Sequence, residues 1–126
     1  MNLIEVFELA ARAAGWESRR HKVRDVTGLF VRTHIGANWQ PFDPMKSKAD
    51  AFDLAAAARI DTTHHADYVA AYAGAGAFRQ FSHDSIDARD TPAAAKSERE
   101  RATCRAITEC AAQIGRDVGA PWWRTL

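Results

Sequence analysis

Two prolines stand directly before an alanine-rich segment in the sequence NWQPFDPMKSKADAFDLAAAARI of residues 38–60. Proline fixes its own φ angle and disfavours helix in the residue before it, so Pro41 and Pro44 prevent a helix until about residue 45. Ser47 stands three residues ahead of Asp50, which is the spacing of a capping box. The segment therefore predicts a rigid turn and then a helix over about residues 48–59.

Two aromatic residues, Trp39 and Phe42, lie just before this predicted helix. We expect both rings to close over the helix start, as a hydrophobic staple does. One side of the helix carries Phe52, Ala55, Ala56 and Arg59. The residues interpreted as a structural motif, with no part in catalysis, are Trp39, Pro41, Pro44, Ser47 and Asp50.

The rest of the chain divides into helical and extended segments. Apolar residues at helical spacing precede Gly15 and predict a first helix over residues 3–14. Residues 27–35, TGLFVRTHI, are rich in β-branched and aromatic side chains and predict a strand, with a partner elsewhere in the chain. Residues 67–84 predict two strands joined by the Gly-Ala-Gly turn at 74–76.

A long amphipathic helix is predicted near the carboxyl end, over about residues 93–114. Thr91 before Pro92 suits its first turn, and Gly115 or Gly119 is expected to end it. Residues 116–126 then form a tail. The predicted fold is α+β, in the order α-β-α-β-β-α: a small antiparallel or mixed sheet of about three strands packed with three helices in a sandwich-like arrangement.

Composition limits how this fold can be stabilised. Leu, Ile, Val and Phe contribute only 23 of 126 residues, whereas alanine contributes 26. The formal net charge of +1 does not suggest disorder, so one folded domain over residues 1–126 with a thin core is predicted. We expect the Trp and Phe residues to supply much of the buried surface. A thin core is also compatible with a homo-oligomer, which would bury more surface per chain.

The same features narrow the class of protein. The near-neutral charge argues against nucleic acid as a partner. With no long apolar run and no basic residue before the first helix, the sequence predicts a cytoplasmic protein without a membrane partner. Cys104 and Cys110 lie six positions apart on a helix, too far for a mutual disulfide, and are predicted to be buried free thiols.

Two segments carry a resemblance to a known family. Trp39, Pro41, Ala49-Asp50-Ala51 and Leu54 form one motif. The second comprises Arg101, Ala102, Cys104 and Ala106. Both resemble the phage ABA sandwich domain, a family of small phage and prophage proteins, although Gln40 replaces the usual Asn. The resemblance implies a sheet covered by helices and a phage or prophage origin, and it supplies no catalytic residues.

Two candidate binding surfaces follow from the sequence. Residues 16–24 contain Arg19, Arg20, Lys22 and Arg24, and form either a solvated loop or an anion-binding patch. Trp122 and Trp123 near the carboxyl end, together with Tyr72, are candidates for contact with a partner, with docking into the core or a homo-oligomer contact as the alternatives for the two tryptophans.

The ionisable residues give little support for metal binding or catalysis. The adjacent His64 and His65 would point to opposite faces of a strand, and His83 and Asp84 complete no spacing typical of a metal site. No metal, cofactor or catalytic residue is therefore assigned. The predicted function is binding of a host protein or a small anionic metabolite or nucleotide by a phage accessory protein. The alternatives are a small nucleotide-processing enzyme using His/Asp acid-base chemistry and a virion-associated structural protein.

Overall fold

A computed structural model of the chain describes residues 2–65, 68–73, 78–82 and 92–118. The elements are, in chain order, α1 (Leu3–Ala13), β1 (Glu17–Val23), β2 (Val26–Arg32), β3 (Gln40–Pro41), α2 (Lys48–Ala58), β4 (Ile60–His64), β5 (Tyr68–Ala73), β6 (Phe78–Ser82) and α3 (Pro92–Asp117). The α+β class is confirmed. The strands form two antiparallel sheets, more than the single small sheet expected from the sequence.

Each sheet is a three-stranded meander. Sheet A has the order β1-β2-β3 and sheet B the order β4-β5-β6. Helix α1 packs on β1 and β2, α3 packs on all three strands of sheet B, and α1 and α3 contact each other. The helices therefore lie between the two sheets, with α2 packed against α3. Among the described residues, no helix has the length and apolar character needed to span a bilayer.

Local signals explain where α1 and α2 begin. The Asn2 side chain accepts a hydrogen bond from the Glu5 amide at 2.9 Å and caps α1. The Ser47 hydroxyl accepts one from the Asp50 amide at 3.2 Å and caps α2, as predicted. Asp50 does not complete a capping box, because its carboxylate instead accepts a hydrogen bond from the Asp43 amide at 2.9 Å.

Glycines act differently at the ends of α1 and α3. Gly15 follows α1 with a φ of 77°, as predicted for a helix stop. Gly115 does not end α3, which continues to Asp117. Pro92 begins α3 as predicted, whereas Thr91, Gly119 and the Gly-Ala-Gly turn at 74–76 lie outside the described residues.

Among the described residues, the buried aromatic rings of the core are those of Phe7 and Phe42. The described core residues include Phe7, Phe42, Leu54 and Ile107 among many alanines. Phe42 contacts Phe7 and Trp16 edge-on, with ring centroids 6.0 and 5.8 Å apart. Close approach of helices through alanine therefore supplies much of the packing, because alanine leaves little side chain between neighbouring backbones.

Candidate functional site

The basic stretch of residues 19–24 is a β-hairpin and not a loop. Arg19, Arg20 and Lys22 lie on β1, and Arg24 lies in the two-residue turn that connects β1 to β2. The sequence predicted a strand over residues 27–35 without identifying its partner, and β1 is that partner. Arg19 lies opposite Phe30 and Arg20 opposite Leu29. Because successive side chains alternate between faces, Arg19 lies on one face of sheet A while Arg20 and Lys22 lie on the other. The predicted four-residue patch is thus divided.

Arg20 has a structural partner. Its Nη2 atom lies 2.6 Å from Oε1 of Glu8 in α1, and its Nε atom donates to the same oxygen at 3.2 Å. This hydrogen bond and the charge of Glu8 raise the pKa of Arg20 above its ordinary value. Arg20 therefore joins β1 to α1, and its guanidinium is already occupied by a carboxylate.

Arg19 lies in a different environment, on the outer face of sheet A. Its guanidinium carbon lies 4.4 Å from the centroid of the Trp39 ring, and that of Arg32 lies 4.7 Å from the same ring. We name this surface the Trp39 face; its members are Glu17, Arg19, His21, Phe30, Arg32 and Trp39. Trp39 consequently does not close over α2, and Phe42 alone of the two expected rings enters the core.

The two arginines of the Trp39 face differ in their charge partners. Arg32 donates from Nε to Oε2 of Glu17 at 2.6 Å, so its charge is neutralised. The Arg19 side chain forms no hydrogen bond or ion pair with the described part of the chain, and it is exposed. A cation over an aromatic ring gains about 0.5–1 kcal/mol at an exposed site, which holds the guanidinium in place without using its N–H groups.

Two rings, those of Phe30 on β2 and His21 on β1, extend the Trp39 face. Phe30 lies opposite Arg19 on β1 and Pro41 on β3. The His21 ring meets Phe30 edge-on, with centroids 5.1 Å apart. An anion held by Arg19 would therefore lie beside apolar ring surface, an arrangement that suits a ligand with both a charged group and a planar ring.

A cavity of about 720 Å³ adjoins sheet A on the side of α2. Its walls include Arg32, Gln40 and Phe42 as well as two carboxylates, Asp50 and Asp53. The two carboxylates disfavour an anionic ligand in this cavity. Neither Arg19 nor Trp39 lines it, and Arg32 is the one member of the Trp39 face that borders the cavity.

The other predicted residues that the structure describes do not join the Trp39 face. Tyr72 is exposed on β5 of sheet B, opposite Asp61 and Phe78. His64 ends β4, and the following His65 ring stacks on Tyr68 at 4.2 Å. His83, Asp84, Trp122 and Trp123 lie outside the described residues. Within the described ranges, no three His, Cys, Asp or Glu side chains are grouped so as to hold a metal ion.

A groove that the sequence did not predict lies between α2, α3 and β4. Leu54 and Ala51 face the core, so the side of α2 that carries Phe52 and Ala56 is the exposed one. The groove has a volume of about 610 Å³. Its apolar lining includes Ala51, Phe52, Ala55, Ile60, Cys104 and Ile107. No sequence signal identified it, because alanines occupy both sides of α2.

Charged residues lie at the rim of this α2–α3 groove. Lys48 of α2 and Lys96 of α3 lie 3.0 and 3.5 Å from the carboxylate of Glu100. The hydrogen bond from Lys48 lowers the pKa of Glu100. At the groove floor, burial raises the pKa of the Cys104 thiol, and Glu100 raises it further. Cys104 and Cys110 are both buried and form no disulfide, as predicted.

Comparison of the chain with protein families, curated proteins and solved structures finds no match. The resemblance to the phage ABA sandwich domain therefore stays a prediction based on the two sequence motifs.

Proposed function

We propose that this chain is a non-catalytic binding protein of the bacterial cytoplasm, encoded by a phage or prophage. Its ligand on this proposal is a small nucleotide-like anion, bound on the Trp39 face. The observation that carries the proposal is the position of Arg19. This arginine lies 4.4 Å over the Trp39 ring and has no ion-pair partner among the described residues.

The chemistry of the face supports a ligand of this class. A guanidinium presents N–H donors in a planar fork, which matches two oxygens of a phosphate or carboxylate. Phe30 and Trp39 offer partly exposed ring surface beside Arg19. A planar base would cover that surface while its phosphate accepts hydrogen bonds from Arg19.

Charge distribution favours a small anion over a nucleic-acid polymer. The whole chain has a formal net charge of +1, and Arg20 and Arg32 are each paired with a glutamate. A polymer gains affinity by contacting several cations and releasing counterions, which needs an extended basic surface. One unpaired guanidinium beside aromatic rings suits a ligand with one or a few phosphates.

Isothermal titration calorimetry with ATP, GTP and inorganic phosphate tests the proposal. We expect a nucleotide to bind more tightly than phosphate, and Arg19→Gln to weaken its binding by about tenfold or more. Lys22→Gln is the matched control, because it removes one exposed positive charge from the opposite face of the same strand. This control is expected to leave the affinity unchanged.

Two results would overturn the proposal. One is no heat of binding with any of the three probes. The other is an equal loss of affinity in Arg19→Gln and Lys22→Gln, which would mean that binding reflects general charge and not the Trp39 face.

A further inference from the structure

The α2–α3 groove has the size and lining of a small-molecule site. Its volume of about 610 Å³ lies within the range of ligand pockets in proteins. Three separate elements contribute apolar side chains, with Phe52 from α2, Ile60 from β4 and Ile107 from α3. An apolar group placed here would therefore contact side chains on more than one side.

Phe52 is the most unusual residue of the groove. Its side chain is 73% exposed, although a phenylalanine gains free energy when it leaves water. The neighbouring Ala55 and Ala56 are small and leave space along the ring. An alkyl chain lying along Phe52 would remove apolar surface of both partners from water.

The charged residues at the rim of the groove favour an anionic ligand. Lys48 and Lys96 share the single carboxylate of Glu100, so this group of three carries one net positive charge. The two lysine side chains are 67% and 78% exposed, which lets either ammonium reach a second anion. A second copy of the chain would present the same cationic rim, and like charges facing each other disfavour that occupant.

We infer that the α2–α3 groove binds a fatty acid, with its alkyl chain against Phe52, Ile60 and Ile107. The carboxylate lies between Lys48 and Lys96, where it competes with Glu100. This site shares no residue with the Trp39 face, so the fatty-acid inference does not depend on the nucleotide proposal.

Calorimetric titration of the full chain with dodecanoate, below its critical micelle concentration, tests the inference. We expect saturable binding, weakened about tenfold or more by Phe52→Ser. Val26→Ser is the matched control, since Val26 is 72% exposed on the β1–β2 hairpin and lies away from the groove. It is expected to bind dodecanoate as the unchanged protein does.

The head group is tested separately. Dodecan-1-ol, which lacks the charge, should bind about tenfold or more weakly than dodecanoate. The double variant Lys48→Gln with Lys96→Gln should reduce the affinity for dodecanoate, whereas Glu100→Gln should increase it by removing the competing carboxylate. Affinity changes of opposite direction at neighbouring residues distinguish a specific site from nonspecific adsorption.

Three results would overturn the inference. The first is equal binding of dodecanoate and dodecan-1-ol, and the second is an equal loss of affinity in Phe52→Ser and Val26→Ser. The third is a dimer in sedimentation that Phe52→Ser converts to monomer, with no dodecanoate binding by either form. That third result would assign the groove to a second copy of the chain.

Discussion

Gly115 of α3 lies directly against the backbone of Leu9 in α1. A Cβ atom at position 115 would overlap the Leu9 carbonyl oxygen and come within 2.6 Å of its carbonyl carbon. Arg12, further along α1, donates from Nη1 to the Gly115 carbonyl oxygen at 3.4 Å. The absence of a side chain at 115 therefore sets how closely α1 and α3 approach.

We expect Gly115→Ala to lower the free energy of unfolding by about 2 kcal/mol or more, because the new methyl group must push rigid backbone aside. Urea denaturation followed by circular dichroism measures this loss. Gly28→Ala is the control, since the nearest atom to its added Cβ is 4.0 Å away and its effect should stay within about 0.5 kcal/mol. A Gly115→Ala variant as stable as the unchanged protein would contradict the close packing.

The two aromatic residues before α2 should differ in their effect on stability. Phe42 is 4% exposed and contacts Phe7 and Trp16, so Phe42→Ala should cost about 3–5 kcal/mol. Trp39 is partly exposed on the outer face of sheet A, and Trp39→Ala should cost about 1–2 kcal/mol. Thermal and urea unfolding of both variants checks the order. A larger loss for Trp39→Ala would contradict these assignments.

The ion pair between α2 and α3 should make stability depend on pH. The Glu100 pKa in the folded chain is lowered below its ordinary value of 4.5, chiefly by the hydrogen bond from Lys48. Its stabilising contribution is therefore present above the unfolded pKa and is lost as the pH falls through the lowered folded pKa. Between about pH 6 and pH 3, we expect the melting temperature of the unchanged protein to fall more than that of Glu100→Gln.

Salt provides the check on this pH effect. The two lysines are exposed and Glu100 is partly exposed, so about 0.5 M sodium chloride should reduce the difference between the two proteins. An identical pH dependence in the Glu100→Gln variant at low salt would mean that the ion pair does not contribute.

The two thiols should react slowly and in a fixed order. Both are buried in the folded chain, and burial raises the pKa of Cys104 above its ordinary value. Iodoacetamide at about pH 8 should therefore modify the native protein far more slowly than the urea-unfolded protein. Cys104 lines the α2–α3 groove whereas Cys110 is fully buried, so mass spectrometry of peptides should detect Cys104 alkylation first. Earlier modification of Cys110 would contradict this placement.

Local signals were sufficient to predict several elements. Pro44, Ser47 and Asp50 act within a few residues of one another, and α2 begins at Lys48 as they indicated. Gly15 ends α1 for the same local reason, a left-handed backbone that glycine adopts at little cost. The pairing of β5 with β6 also followed from a short connection between two apolar segments.

The partner of β2 could not be predicted in this way. Arg19, Arg20 and Lys22 have no strong strand preference, and β1 forms because β2 and α1 supply hydrogen bonds and a glutamate partner for Arg20. Gly115 or Gly119 was expected to end α3. The helix continues past Gly115 to Asp117, and close packing against the Leu9 backbone explains why a glycine stands inside it.

The α+β class, the starts of α1 and α2 and the burial of both cysteines follow from neighbouring residues and helical periodicity, so the sequence was sufficient to predict them. The contacts between charged and aromatic side chains depend on how distant segments pack. Trp39 contacts Arg19 and not α2 because strand pairing places both on the outer face of sheet A. Phe52 borders a groove because Leu54 and Ala51 take the core-facing side of a helix whose alanines permit either side to be buried.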